Sequence, residues 1–187
     1  MPQNSSLNTL APENSQKKRP LYLLADIGGT NARFAFAEPV NRTPVDIATY
    51  AVCEFPAFEQ VLKRLSADWR ELSLPNSYLS RVCMAVAAVP EAKEILFTNN
   101  PWRFTQAELA TKVGCAAIII VNDFAAIARS LPALEPKHLE AIGNGLIQPE
   151  KPMVTIGPGT GTGVATLVTD SSGKPLEMPG QGGHVDF

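Results

Sequence analysis

The sequence predicts a mixed α/β fold, one mixed sheet with flanking helices, and three observations carry that reading. Apolar runs of strand length open the chain one after another, separated only by turn residues. Later apolar runs alternate with segments of helical period. Thirteen glycines and sixteen prolines in 187 residues predict many tight turns and few long helices. A meander followed by strand–helix alternation is a mixed sheet.

Residues 1–20, MPQNSSLNTLAPENSQKKRP, read as a solvated leader that ends at Pro20. The leader has no apolar h-region, so it is not a secretory signal. Order is expected from Leu21, where LYLLADI reads as a strand that stops at Gly28-Gly29. ARFAFAE reads as the next strand, so Gly28 to Asn31 turn a β-hairpin. DIATYAVCEF reads as a third. From Pro56 onward, Phe58, Val61, Leu62, Leu65 and Trp69 recur once per helical turn, and LSLPNS ends that helix.

RVCMAVAAV then reads as a buried strand and EILFTNN as another. Thr105-Gln-Ala-Glu108 is a capping-box pattern, which predicts a helix over Gln106 to Val113. AAIIIV is apolar at every position and is therefore expected at the centre of its sheet. It runs into Asn122-Asp123, after which FAAIARSL reads as helix. MVTIG and GVATLVTD are two more strands, and Ser171 to Lys174 turn the last hairpin. No repeat at a fixed period is visible.

Composition excludes several classes of function. Charged residues are 18% and hydrophobic ones 45%, which argues against intrinsic disorder. Sixteen Lys and Arg against eighteen Asp and Glu leave a net charge of -2, no electrostatic footprint for nucleic acid or anionic lipid. No apolar run approaches the roughly 20 residues of a membrane helix. Cys53, Cys83 and Cys115 are odd in number and widely spaced, and read as small buried hydrophobes in a reducing cytosol. With His138 and His184 as the only histidines, a Cys/His zinc site is not expected.

Four motifs carry chemistry. In Asp26-Ile-Gly-Gly-Thr-Asn31, two glycines let backbone N–H groups approach and cradle a phosphate. Asp26 can orient a magnesium ion through its water shell. The plainer alternative is a hairpin turn built of turn residues. Gly157-Pro-Gly-Thr-Gly-Thr-Gly163 fits neither G-x-G-x-x-G nor a Walker A loop, and a strand rather than a helix follows it. It reads as a second Gly/Thr hairpin. Asn122-Asp123 closes an apolar strand, where ligands of open α/β sheets bind. A carboxylate there can serve as general base, or Asp123 can simply be the N-cap of the next helix. Gly180-Gln-Gly-Gly-His184 suits hydrogen bonding to a polyhydroxy ligand, although a lone His near a chain end is usually a surface residue.

Together these parts match an actin-like ATPase domain, in which paired hairpins grip phosphates. The chain resembles the bacterial glucokinase family of the hexokinase/actin superfold, with its ribonuclease H-like mixed sheet. The resemblance rests on LLADIGGTNARFAFAE, FTNNPWRFT, IIIVNDFAAIARSLPAL, TIGPGTGTGVATLV and PGQGGHVDF, and covers Leu21 to Phe187. It implies a small α/β domain over residues 21–150 and the beginning of a large domain over 151–187. It implies ATP-dependent phosphorylation of glucose at the 6-hydroxyl, with Mg²⁺, in the cytoplasm. Ala25, Asp26, Ile27, Gly28, Gly29, Thr30 and Asn31 become the first phosphate loop, and Gly159, Thr160 and Gly161 the second. Asp123 becomes the base, and Asn99, Asn122, Gln181 and His184 contact the sugar. A homodimer is expected of the full-length form.

The chain departs from the family pattern in three ways. Gln181 stands where Glu is usual, Ala88-Val89-Pro90 replaces a Gly-Pro turn, and family members are substantially longer. A non-catalytic sugar-binding module and a hexose kinase with another acceptor remain as alternatives.

Overall fold

Alternation builds the first hairpin. In a computed structural model that describes residues 18–40, 43–71, 76–97, 100–148, 150–158 and 162–180, strand β1 (Arg19–Ile27) buries Leu21, Leu23, Ala25 and Ile27 on one face. Tyr22, Leu24 and Asp26 fall on the other and are half-buried. β2 (Asn31–Ala37) returns antiparallel in a register that runs from Ile27 opposite Ala32 to Tyr22 opposite Ala37. β3 (Pro44–Ala51) pairs antiparallel with β2.

The chain then crosses over through α1 (Phe58–Glu71), which buries Phe58, Val61 and Leu65 from the predicted stripe. β4 (Ser77–Val86) runs parallel to β1 and supplies the fully buried Val82, Met84 and Val86. A two-residue ribbon, β5 (Ile95–Leu96) with β6 (Arg103–Phe104), follows. Its aromatic residues close one side of the core: the Phe58 and Phe104 rings stack at 4.5 Å, and the buried Trp102 indole donates to the Phe55 carbonyl at 2.6 Å. α2 (Gln106–Val113) begins with the expected capping box and ends at Gly114, which adopts a left-handed φ of 65°. β7 (Ile118–Asn122) pairs parallel with β4, and the strand order is β3-β2-β1-β4-β7.

Helix α3 (Asp123–Ser130) leaves β7 without a loop and lies on a second sheet. This antiparallel sheet has the order β10-β9-β8, from β8 (Met153–Pro158), β9 (Thr162–Thr169) and β10 (Pro175–Gly180). Ala128 of α3 packs with Ala165 and Leu167 of β9, and Phe124 and Met153 border that cluster. The last hairpin turns where expected. Asp170 Oδ1 accepts from the Ser172 and Lys174 backbone N–H groups, and Gly173 takes a φ of 80°.

Several expectations are corrected. β7 is an edge strand, not a central one, and Ile119 is 44% exposed. An unbroken apolar run reports neither how many strands lie alongside nor that both faces are covered. Order begins at least at Arg19, and Pro20 is tolerated because it lies before β1 begins pairing with β2 at Tyr22. The third strand stops at Ala51, and Val52–Glu54 form a 3₁₀ turn. Among the described residues of EILFTNN, the strand is Ile95–Leu96. Of the cysteines, Cys115 is buried, Cys83 is intermediate and Cys53 is exposed.

Candidate active site

The three parallel strands finish level with one another. Ile27 of β1 stands beside Val86 of β4, and Val86 beside Asn122 of β7. The first Gly-Gly turn and the Asn122-Asp123 pair therefore emerge from the same carboxyl edge of the sheet, separated by one strand. That edge is where open α/β sheets bind ligands.

Ala25, Asp26 and Ile27 end β1, Gly28, Gly29 and Thr30 make the turn, and Asn31 opens β2. The Gly28 N–H donates to the Asn31 carbonyl at 3.0 Å and closes the turn. The turn is tied down on three sides. The Val52 N–H donates to the Thr30 carbonyl at 2.8 Å, the Ala87 N–H to the Ile27 carbonyl at 3.1 Å, and Asn100 Nδ2 to the Gly28 carbonyl at 3.4 Å. Asn100 is itself held, because its Oδ1 accepts from the Trp102 N–H at 2.9 Å. Asp26 pairs with Arg33, its neighbour across the hairpin, at 2.9 Å.

Of the two alternatives open for Asp123, general base or N-cap of the next helix, the cap falls to its neighbour. The N-cap of α3 is Asn122, not Asp123: its Oδ1 accepts from the Ala125 N–H at 3.1 Å. Its Nδ2 donates to Asp123 Oδ1 at 3.0 Å, and the Phe124 N–H donates to the same oxygen at 2.9 Å. Both bonds fall on Oδ1 and fix the rotation of the carboxylate. Half-burial pushes the Asp123 carboxyl above its ordinary range, and the charge of Asp26 pushes it the same way, against these hydrogen bonds. The two carboxylates are thus within electrostatic reach of each other.

Among the described residues, no group of three or more His, Cys, Asp or Glu is placed to hold a metal ion. A separate cavity of about 360 Å³, lined among others by Phe58, Trp102 and Lys112, contains none of the predicted site residues.

A family model described as Glucokinase matches residues 23–187. The chain belongs to the glucokinase family. The glucokinase of Colwellia psychrerythraea is 36% identical over 175 residues, 94% of this chain and 51% of that protein. The glucokinase of Cronobacter sakazakii is 35% identical over 165 residues, 88% of this chain and 49% of that one. Among solved structures, glucokinase from an Antarctic psychrotroph superposes with a TM-score of 0.70 at 28% identity, covering 88% of this chain and 51% of that one. The glucokinase of Balamuthia mandrillaris, solved with glucose, shares the fold at a TM-score of 0.65 and 21% identity. The chain spans about half the length of the curated relatives it matches.

Of the site residues that the glucokinase resemblance implies, Ala25 to Asn31, Asn122 and Asp123 come together at one edge. Asn99, Gly159, Thr160, Gly161, Gln181 and His184 lie outside the described residues. For the second loop, the strands on either side are described: β8 and β9 pair up to Pro158 opposite Thr162, as its reading as a hairpin requires. Sequence reasoning missed Arg33, Asn100 and Phe124. Arg33 was within its reach, because strand alternation places it on the same face as Asp26.

Proposed function

We propose that the full-length protein transfers the γ-phosphoryl group of ATP to the 6-hydroxyl of glucose. The observation that carries this reading is the Gly-Gly turn after β1 and the half-buried Asp123 after β7 at one sheet edge, in a chain of the glucokinase family. In this reading the small domain is residues 21–150 and the large domain begins at 151. The enzyme works in the cytoplasm as a homodimer.

Phosphoryl transfer asks the protein mainly for position and for charge in the right places. Oδ1 of Asp123 is engaged twice, so Oδ2 is assigned the proton of the 6-hydroxyl. The freed oxygen attacks the γ-phosphorus, and ADP leaves. A carboxyl held above its usual range is a better match to that proton than an ordinary one. The loop of Gly28 to Asn31 binds the phosphates, the Gly28 N–H closing the turn on the Asn31 carbonyl while the backbone N–H groups after it face the ligand, joined by Gly159, Thr160 and Gly161. Asp26 would hold a nucleotide-bound Mg²⁺ through water, and that ion would supply neutralisation of phosphate charge. Asn122 orients the base, and with Asn99, Gln181 and His184 it contacts the sugar.

The test is enzyme-coupled detection of glucose 6-phosphate with the full-length protein and its Asp123→Asn variant. The wild type turns over, and the variant loses roughly 10²- to 10⁴-fold in kcat. Its melting temperature does not fall, because Asn122 and not Asp123 caps α3. A variant within a few-fold of wild type would refute Asp123 as base. Glucose binding by a wild type that makes no product would identify a non-catalytic sugar-binding module instead.

A further inference from the structure

The proposed mechanism uses Asp123 and the Phe124 N–H that holds it, and leaves the Phe124 side chain without a task. Phe124 lies in the first turn of α3, and its ring rests on the β8–β9 hairpin where Gly157 and Gly163 are cross-strand partners. A Cβ on Gly163 would sit 1.8 Å from Cε2 of the ring and 2.1 Å from Cδ2. A Cβ on Gly157 would sit 2.6 Å from Cζ and 2.7 Å from Cε1. Neither glycine has a positive φ, so backbone conformation does not require them. The space taken by the ring does. The rest of α3 is fastened to the same sheet: Ala128 packs on Ala165 and Leu167, and Arg129 Nη1 donates to Glu177 Oε1 at 2.6 Å and to the Pro175 carbonyl at 3.0 Å. The helix starts at the end of β7 in one sheet and lies on the other.

We propose that Phe124 is a positioning residue: its ring, seated on the Gly157–Gly163 pair, sets the distance between the β8–β9 hairpin and the Asp123 carboxylate. This rests on Asp123 being the base and on that hairpin serving the phosphates. One side chain then registers the proton acceptor against the hairpin, through a contact too close to admit even a methyl group on either strand. The contact joins residues far apart in sequence, and no pattern along the chain announces it.

The experiment measures kcat, both KM values and melting temperature in the full-length protein for Phe124→Ala, Phe124→Leu, Gly163→Ala and the double variant Phe124→Ala/Gly163→Ala. Phe124→Ala should lower kcat roughly 10- to 100-fold, the scale of a misplacement near 1 Å, with the glucose KM within about threefold of wild type. Phe124→Leu should recover part of the loss. Gly163→Ala drives the ring off its seat, and removing the ring should make the double variant at least about tenfold faster than Gly163→Ala alone. A double variant no faster than Gly163→Ala overturns the proposal. So does a folded Phe124→Ala protein with kcat within about threefold of wild type, whatever its melting temperature. If Phe124→Ala does not fold, Phe124→Leu decides: a folded Leu variant with kcat equal to wild type overturns the proposal. A wild type without glucose 6-phosphate production refutes the proposed function instead, which separates the two failures.

Discussion

At the carboxyl end of the five-stranded sheet, two acids sit within reach of each other, and each has a different neighbour to hold it. Arg33 pairs with Asp26, whereas the donors to Asp123 among the described residues are neutral: the Asn122 side chain and the backbone N–H groups of Asp123 and Phe124. Desolvation, reinforced by the Asp26 charge, therefore raises the Asp123 carboxyl above its ordinary value of 3.8. The sign follows for both stability and activity. A raised acid favours its protonated form in the folded chain, so its stabilising contribution is present below pH 3.8 and is lost as pH rises through the raised value. A base must be deprotonated, so the acid limb of the kcat profile should lie above the range of an ordinary aspartate. Asp26→Asn removes one of the two causes and frees Arg33. The limb measured on the residual activity should move to lower pH. A limb that stays or moves upward would mean that Asp26 does not reach Asp123.

Among the elements, α2 is the one whose boundaries local chemistry sets alone. Thr105 Oγ1 accepts from the Glu108 N–H at 3.1 Å, and Glu108 Oε2 accepts from the Thr105 N–H at 2.8 Å. Those bonds, and not burial, hold the Glu108 carboxyl below its usual range. Thr105→Ala removes one half of the box and should destabilise the protein by about 1 kcal/mol, read as a shift in the denaturant midpoint with an unchanged slope. Leu109 remains buried on the core side, so the helix itself should persist in the circular dichroism spectrum. α3 behaves differently. Its start is local, with Asn122 as the cap, but its place depends on glycines that lie beyond residue 150 in the sequence.

For the whole molecule, the three-stranded sheet has one face on α3 and one without a cover among the described residues. Val154 and Ile156 on β8 and Leu176 and Met178 on β10 share that second face through their register on β9, and each is more than half exposed. A contiguous apolar face of this kind is an interaction surface or an aggregation hazard. The 187-residue chain by itself should therefore bind an environment-sensitive dye such as ANS or associate into species larger than a dimer, and the full-length protein should do neither. It should also make no glucose 6-phosphate at kinase-like rates, since well-oriented reactants supply about 7–11 kcal/mol and half a family member's length does not provide both walls of a cleft. A monomeric, dye-silent and active 187-residue chain would contradict this account.

Apolar alternation and local caps were legible from the residues: the first hairpin, the α1 stripe, the Thr105 capping box and the last turn each depend on neighbours within a few positions. The Gly-Gly turn and the strand-end aspartate were legible for the same reason, as was the family to which they point. The rest needed contacts between distant segments. Which strand lies at the edge depends on pairing partners, and β7 shows that an apolar run does not report them. Asn122 and Asp123 are both good caps by residue type, and only the backbone direction at the end of β7 decides which one serves. The Phe124 ring on Gly157 and Gly163 is decided last of all, because a steric fit between a helix and a sheet distant in sequence has no period, no spacing rule and no signal until the chain has folded.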